Sequence, residues 1–439
     1  MNRIKTIIFF LAVSLPTLLF AQNETANKTW SLTDCIDYAL EQNIQVRQSI
    51  LSNLSNEVNK EQAEAQLLPS LNASARQNFS WSKVEDYTTG ESSFEGSNSR
   101  SMSLNSSITI YNGLRLKNLI KQAELDLQAG LYDSETIKES ITISILNAFL
   151  QVVAYEENVK NAQSQMEATS DQLVLSDARL QSGIISRSDY LQVKSQLATE
   201  KLSLANAQSQ YAISKISLMQ LMELPVDENF AIERPVLDGN MNQNLTPKAA
   251  EVYAIALGIK PQIKSAEYQK ESAALNEKIA RGNYYPSVAA NAGLSSGFSS
   301  SMGQLGDQVT PTVGLSVSIP IFQNKQVKSS VANAKINYQN AELSEINTRN
   351  ELRKEIEQAC VDVSSAQIQY EASLESYNSY EESYALAEEK FNNGLINSVD
   401  FLFEKTNLIA AESDLLQSKF NLIFSYKILD YYQGTPIAF

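Results

Sequence analysis

The chain has 439 residues, 43% of them hydrophobic, a formal charge of -15 and no histidine. The missing histidine removes imidazole acid–base catalysis, Ser-His triads and His-ligated metals together, and the acidic balance argues against a nucleic-acid partner. Two cysteines, Cys35 and Cys360, cannot build a disulfide framework or a Cys-rich metal site, while 15 Gly and 10 Pro are few enough for long helices.

At the start, Arg3 and Lys5 precede an apolar run from Ile7 to Phe20, and Leu19-Phe20-Ala21 stands before Gln22. This pattern predicts a secretory signal peptide over 1–21. A membrane anchor is the competing reading, disfavoured by a short run that ends in a small residue. Cys35 lies too far downstream to be the lipidated cysteine of a lipoprotein. No later segment holds about 18 uninterrupted apolar residues, so no transmembrane helix is predicted. The exported chain is then soluble, or it crosses a membrane as β-structure.

Self-comparison reveals a duplication. Ala39-Leu40 and Pro69-Ser70-Leu71 return at an offset of 217 as Ala256-Leu257 and Pro286-Ser287-Val288. Further on the offset is 211: Ile110-Tyr111-Asn112 matches Ile321-Phe322-Gln323, Gly183 matches Gly394, and Asp189-Tyr190-Leu191 matches Asp400-Phe401-Leu402. Two long copies are too few for a solenoid and indicate a duplicated domain with pseudo-two-fold symmetry. The predicted organisation is a first repeat over 22–223, a linker over 224–247, a second repeat over 248–433 and a tail over 434–439.

Each copy opens with a helix, over about 32–67 and 248–283, which Pro69 and Pro286 end. The period then changes to two, predicting strands at about 70–83, 101–112, 287–300 and 310–323. Val313, Leu315, Val317, Ile319 and Ile321 alternate with Thr312, Gly314, Ser316, Ser318 and Pro320; Leu104, Ile108 and Ile110 alternate with Asn105, Ser107 and Thr109. Such a pattern suits a transmembrane β-barrel and equally a soluble sheet with one wet face. Four strands cannot close a barrel, since the smallest membrane barrels need about eight; three chains would supply about twelve. Residues 83–100, with Glu85, Asp86, Tyr87, Glu91, Phe94 and Glu95, read as an exterior loop whose acids lack the spacing of a calcium site. Residues 224–246 break the helical pattern and, with the tail, read as a belt around the middle of the helical part.

Apolar residues then recur every seventh position. Ile145, Val152, Val159, Met166, Leu173 and Leu180 make one stripe, and Ile356, Val363, Tyr370, Tyr377, Tyr384 and Phe391 its counterpart. After a turn the stripes resume as Tyr190, Leu197, Leu204, Tyr211 and Leu218, and as Phe401, Leu408, Leu415, Leu422 and Leu429. This period imposes left-handed coiled-coil packing. A helix from Leu114 to Leu180 would be about 100 Å long.

The segments Ser107-Ile108-Thr109-Ile110-Tyr111-Asn112-Gly113-Leu114-Arg115 and Val317-Ser318-Ile319-Pro320-Ile321-Phe322-Gln323-Asn324-Lys325 lead from strand into helix. Both resemble the strand-to-helix junction of TolC-type outer-membrane efflux proteins. The turns Arg179 to Leu191 and Lys390 to Leu402, each with Gly and then Asp six residues later, resemble that family's periplasmic helix tips. The resemblance covers essentially the whole chain after the signal peptide. It implies a mostly α protein with transmembrane β: a homotrimer whose strands form one 12-stranded outer-membrane barrel, continued by a long periplasmic α-helical barrel. It further implies no enzymatic activity and no cofactor. The partners are a periplasmic adaptor (membrane fusion protein), an inner-membrane transporter and outer-membrane lipid, and the cargo is drugs, small toxic molecules or secreted proteins, as in type I secretion.

By that resemblance Asp189 and Asp400 match acidic tip positions, giving six carboxylates in a trimer that select for cations; helix N-terminal capping is the alternative role. Ile396 stands where relatives often carry a gate arginine, so Arg187 is the candidate substitute, by pairing with an Asp; an unpartnered surface arginine is the bland reading. Phe391 aligns with a gate aromatic and is also the last core position of its stripe. Gly183, Ile184, Ser186, Gly394 and Leu395 are the candidate adaptor contacts, the glycines doubling as helix-ending turns. Cys35 and Cys360 replace the apolar Val252 and Phe149 of the other copy and read as buried thiols. Methionine is too scarce, and histidine absent, for metal-ion export. The acidic charge points to a cation-preferring duct. Outside the channel class, a non-porous periplasmic coiled-coil scaffold explains the heptads but not the paired strands, and an enzyme lacks a Gly-rich phosphate loop and a pocket pattern.

Overall fold

The computed structural model describes residues 29–85, 87–88, 90–227, 229–234, 248–299 and 309–437. The expected signal peptide, residues 235–247 of the linker with Pro235 and Pro247, Asp86, and the last two residues of the tail lie outside them.

The elements run β1 (Thr29–Trp30), α1 (Leu32–Gln42), α2 (Ile44–Ala65), β2 (Ser70–Glu85), β3 (Ser92–Asn112), α3 (Arg115–Gln181), α4 (Arg187–Leu221), β4 (Ala231–Ile232), α5 (Ala249–Ile259), α6 (Pro261–Gly282), β5 (Ser287–Ser299), β6 (Val309–Ser318), α7 (Gln326–Asn392) and α8 (Ser398–Tyr432). Helix lengths repeat: α1 and α5 have 11 residues, α2 and α6 have 22, α3 and α7 have 67, and α4 and α8 have 35.

The opening helix of each copy is two helices, not the single one expected. The breaks fall at Asn43 and Lys260, which correspond at the offset of 217. Asn43 leaves helical geometry with ψ 131°; its Oδ1 accepts from Gln45 N (2.9 Å) and its Nδ2 donates to the Leu221 carbonyl (2.9 Å). In the second copy Pro261 takes the first helical position, where its missing N–H costs nothing.

By contacts the described residues divide into two units. One comprises the residues up to Arg47, Ile137–Ile259 and those from Arg353 on. Its core gathers Trp30, Leu32, Cys35, Ile36 and Ala39 with Ile145, Leu146, Phe149 and Val152 of α3, Leu218, Met219 and Met222, and Phe420 and Ile423 of α8. An 18-residue window of α3 is apolar enough by composition to cross a membrane, a feature the sequence reading did not expect; the helix's fully buried Ile145, Leu146, Phe149 and Val152 belong to this core. β1 and β4 pair in parallel beside it. Cys35 is fully buried, whereas Cys360 is half-buried, and burial raises its thiol pKa.

The other unit comprises Gln48–Thr136 and Lys260–Leu352. Four antiparallel strands lie in the order β2-β3-β5-β6. Tyr132 stacks on Tyr268 at 5.6 Å, and Arg349 bridges Glu267 (2.9 Å) and Glu345 (2.8 Å). β3 begins at Ser92 rather than 101, because residues expected in a loop zip against β2 as far as Glu85–Ser92. Trp81 lies opposite Gly96, where any side chain would press on the indole. β6 stops at Ser318 rather than 323, ahead of Pro320, which has no N–H to continue a ladder.

Candidate functional site

Two regions carry features that a core does not require: the sheet and the two interhelical turns.

The register sorts the sheet into two faces. On one, Ser70 lies opposite Ser107, Ser74 opposite Ser103, Ser80 opposite Ser97, and Asn291 opposite Gly314. Their side chains bond one another: Ser70–Ser107 at 3.0 Å, Ser74–Ser103 at 2.8 Å, Ser80–Ser97 at 2.7 Å, and Asn291 to Ser316 at 3.0 Å. The opposite face presents Leu71, Ala73, Ala75, Met102, Leu104, Leu294, Val309, Val313, Leu315 and Val317, the larger ones exposed. Exposed aromatics flank it, with Phe79, Trp81 and Phe94 toward the β2–β3 turn and Tyr284, Tyr285 and Phe322 at the helix-joined end. The outer edges of β2 and β6 pair with no described strand.

Each outgoing strand turns into its long helix through two successive left-handed residues, Gly113 (φ 68°) with Leu114 (φ 64°), and Asn324 (φ 46°) with Lys325 (φ 62°). Gly113 is also forced by space, since a Cβ there would lie 2.4 Å from the Gly282 carbonyl oxygen.

At the turns, Gly183 and Gly394 both take φ 71°. Ile184 N donates to Arg179 O (2.9 Å) and Gly183 N to Leu180 O (3.0 Å); Leu395 N and Gly394 N repeat this with Lys390 O (2.8 Å) and Phe391 O (3.1 Å). These are Schellman endings, which need a left-handed residue where the glycines stand. Nothing lies within 4 Å of a Cβ at either, so the backbone alone demands glycine. The residues after the glycines face solvent, Ile184 at 72% and Leu395 at 73% exposure.

Ser186 caps α4. Its hydroxyl accepts from Asp189 N (3.2 Å), while Asp189 Oδ2 accepts from Ser186 N (3.1 Å). The other Asp189 oxygen accepts from the buried Ser398 hydroxyl (2.7 Å) at the start of α8, so Asp189 ties the two turns together. The bonds from Ser398 and then Ser186 hold its carboxyl below the usual range. Capping is therefore part of its role. Asp400 differs: its N–H is capped by Asn397 Oδ1 (2.9 Å), and its exposed carboxylate bonds no described residue. Arg187 is exposed and pairs with neither aspartate within the chain; Asp189 is already engaged. Phe391 sits inside the turn's own core, stacked on Phe401 at 4.7 Å beside Tyr384, with Ile396 packed against the cluster. Arg179 lies over its ring at 5.9 Å and donates to the Asn392 carbonyl (3.2 Å).

The sequence reading missed a buried ion pair deeper in the helical part. Lys405 Nζ of α8 meets Glu200 Oε1 of α4 at 3.2 Å, the side chains only 8% and 5% exposed. Lys405 also donates to Thr169 of α3, and Gln196 donates to Glu200 at 3.1 Å. Glu200 Oε2 accepts no hydrogen bond from any described residue. At the 211 offset, Ala411 and Lys194 stand where Glu200 and Lys405 do, so the pair breaks the internal symmetry. Among the described residues no group of side chains could hold a metal ion.

The model of the family "outer membrane efflux protein" matches residues 35–223 and 252–426. The chain belongs to the outer membrane efflux protein family. The outer membrane efflux protein BepC of Brucella suis is 21% identical over 329 residues, covering 73% of this chain and 69% of the relative. The pyoverdine export outer membrane protein OpmQ of Pseudomonas putida is 26% identical over 274 residues, 61% of this chain and 57% of its own. The CmeC outer membrane channel of Campylobacter jejuni superposes with a TM-score of 0.78 at 21% identity, covering 92% of this chain and 85% of that one. The resemblance read from the junctions and turns is thus borne out. This outer membrane efflux protein acts in transport at the outer membrane, and the scaffold reading gives way.

Proposed function

We propose that the protein is the homotrimeric outer-membrane duct of a tripartite export system. The observation that carries this is the sheet: one hydroxyl-lined face, one exposed apolar face between aromatic belts, and two long unpaired edges. From Ser70 to Trp81 the strand runs about 36 Å, and at a tilt of about 40° it rises about 28 Å, close to the ~25 Å apolar band of such barrels. Pairing β6 of one copy with β2 of the next closes about twelve strands and leaves no edge. The long helices of three copies continue the duct through the periplasm.

Ile184 and Leu395, held out by the turns at Gly183 and Gly394, dock a periplasmic adaptor, which Ser186 flanks; the adaptor connects to an inner-membrane transporter. Asp189, Asp400 and Arg187 of three copies line the closing tip, with Phe391 supporting it from within. The protein performs no chemistry on its cargo. That cargo is small molecules or drugs, or secreted proteins; relatives are named for export of pyoverdine, of toxins and drugs, and of toluene. Cell fractionation and light scattering of detergent extracts test the assembly. A detergent-stable trimer from the outer membrane is expected, and a water-soluble periplasmic monomer or dimer overturns the proposal. For docking, Ile184→Asp with Leu395→Asp should abolish efflux while the trimer persists; normal efflux would refute the tip contact.

A further inference from the structure

The hydroxyl-lined face of the sheet is built mainly from Ser, Thr, Asn and Gly, with Val84 and Ala289 as its apolar members. Arg76 on β2 stands opposite Ser101, between the bonded pairs Ser74–Ser103 and Ser80–Ser97, which fix it on that face. It is exposed and has no ion pair or hydrogen bond with any described residue. Among the described side chains of that face it carries the only charge. Glu95 occupies the register position opposite Ser82, six residues further along β2.

We propose that Arg76 sets the charge preference of the β-barrel section, three copies forming a ring of guanidiniums that favours small anions and anionic solutes there. The inference rests on the duct reading, with the apolar face toward lipid. An uncharged hydroxyl lining interacts with either ion sign alike, so near Arg76 its own ring dominates the potential, the Glu95 register position lying about 20 Å further along the strand. The ring opposes the acidic character of the chain as a whole, so the barrel and the helical part discriminate in opposite senses. At a distance of about 10 Å in water, three unit charges change the relative entry of anions over cations several-fold when the Debye length is about 30 Å, and negligibly when it is about 3 Å.

The test is the reversal potential of the full-length mature protein in planar bilayers under a potassium chloride gradient, at about 10 mM and about 1 M salt. Arg76→Gln should lower the chloride-to-potassium permeability ratio about three-fold or more at low salt and leave it unchanged at high salt. Arg76→Lys should retain the wild-type ratio. Equal ratios for wild type and Arg76→Gln at low salt overturn this inference alone. A wild-type protein that forms no conducting pore overturns the duct reading and this inference with it.

Discussion

Replacing Lys405 with Met should be among the most damaging single changes in the helical part. The ammonium is nearly buried and supplies the counter-charge of Glu200 and a hydrogen bond to Thr169. Glu200 Oε2 already lacks a hydrogen bond, so without Lys405 the carboxylate keeps only the Gln196 amide and would have to hold its charge among packed helices. Losing one member of such a buried pair costs about 3–5 kcal/mol. Thr169 adds little, because its hydroxyl still donates to the Gln165 carbonyl (3.1 Å). Removing both charges, as Glu200→Leu with Lys405→Met, should return stability to wild type or exceed it by about 1–4 kcal/mol. Urea unfolding of the purified protein in detergent, followed by the helical circular dichroism signal, gives the midpoints. The single variant should fall well below wild type and the double variant recover. A single variant with the wild-type midpoint, or a double variant as unstable as the single, would refute the assignment of a desolvated, mutually dependent pair.

Ser398→Ala removes the hydrogen bond that contributes most to depressing the Asp189 carboxyl. Because that pKa is lowered by folding, its stabilisation is full above the unfolded value of about 3.9 and is lost as pH falls through the lower folded value. Acid titration of stability should therefore show less of this loss in Ser398→Ala than in wild type; superimposable profiles would contradict it. Gly183→Ala should destabilise its turn by about 1–2 kcal/mol through backbone strain alone, visible as faster amide exchange at 180–184. Trp at both Gly183 and Gly394 should uncouple the adaptor, and normal drug resistance in cells would count against that. Gly113→Ala forces a Cβ against the Gly282 carbonyl and should diminish the yield of the proposed trimer in detergent extracts; full recovery of trimer would show that the junction yields.

Much of the architecture was legible because its determinants are local. The seven-residue stripes identified α3, α4, α7 and α8, and Gly183 and Gly394 marked where two of them end. What stayed hidden depends on distant partners. Asn43 breaks its helix by bonding Leu221, 178 positions away. Its counterpart did carry a local sign, Pro261, which reads equally as an interior kink or a first-turn residue. The early start of β3 follows from pairing with β2, which composition rich in Ser and Gly disguises as a loop. At the tip, capping by Asp189 was legible locally, but its bond to Ser398, 209 residues off, was not. Lys405 and Glu200 each look like ordinary solvated residues until α3, α4 and α8 are brought together around them.

The serine ladder of the sheet bears on what a passing molecule would feel. Ser70 with Ser107, Ser74 with Ser103 and Ser80 with Ser97 satisfy one another across the strands. Each pair commits one of its two hydroxyl protons internally, so a wall that is fully wettable has fewer donors left to grip a solute. In the proposed duct this makes for low friction and short dwell times. Such a wall is indifferent to the shape of what passes, and what preference it has is one of charge, set at Arg76.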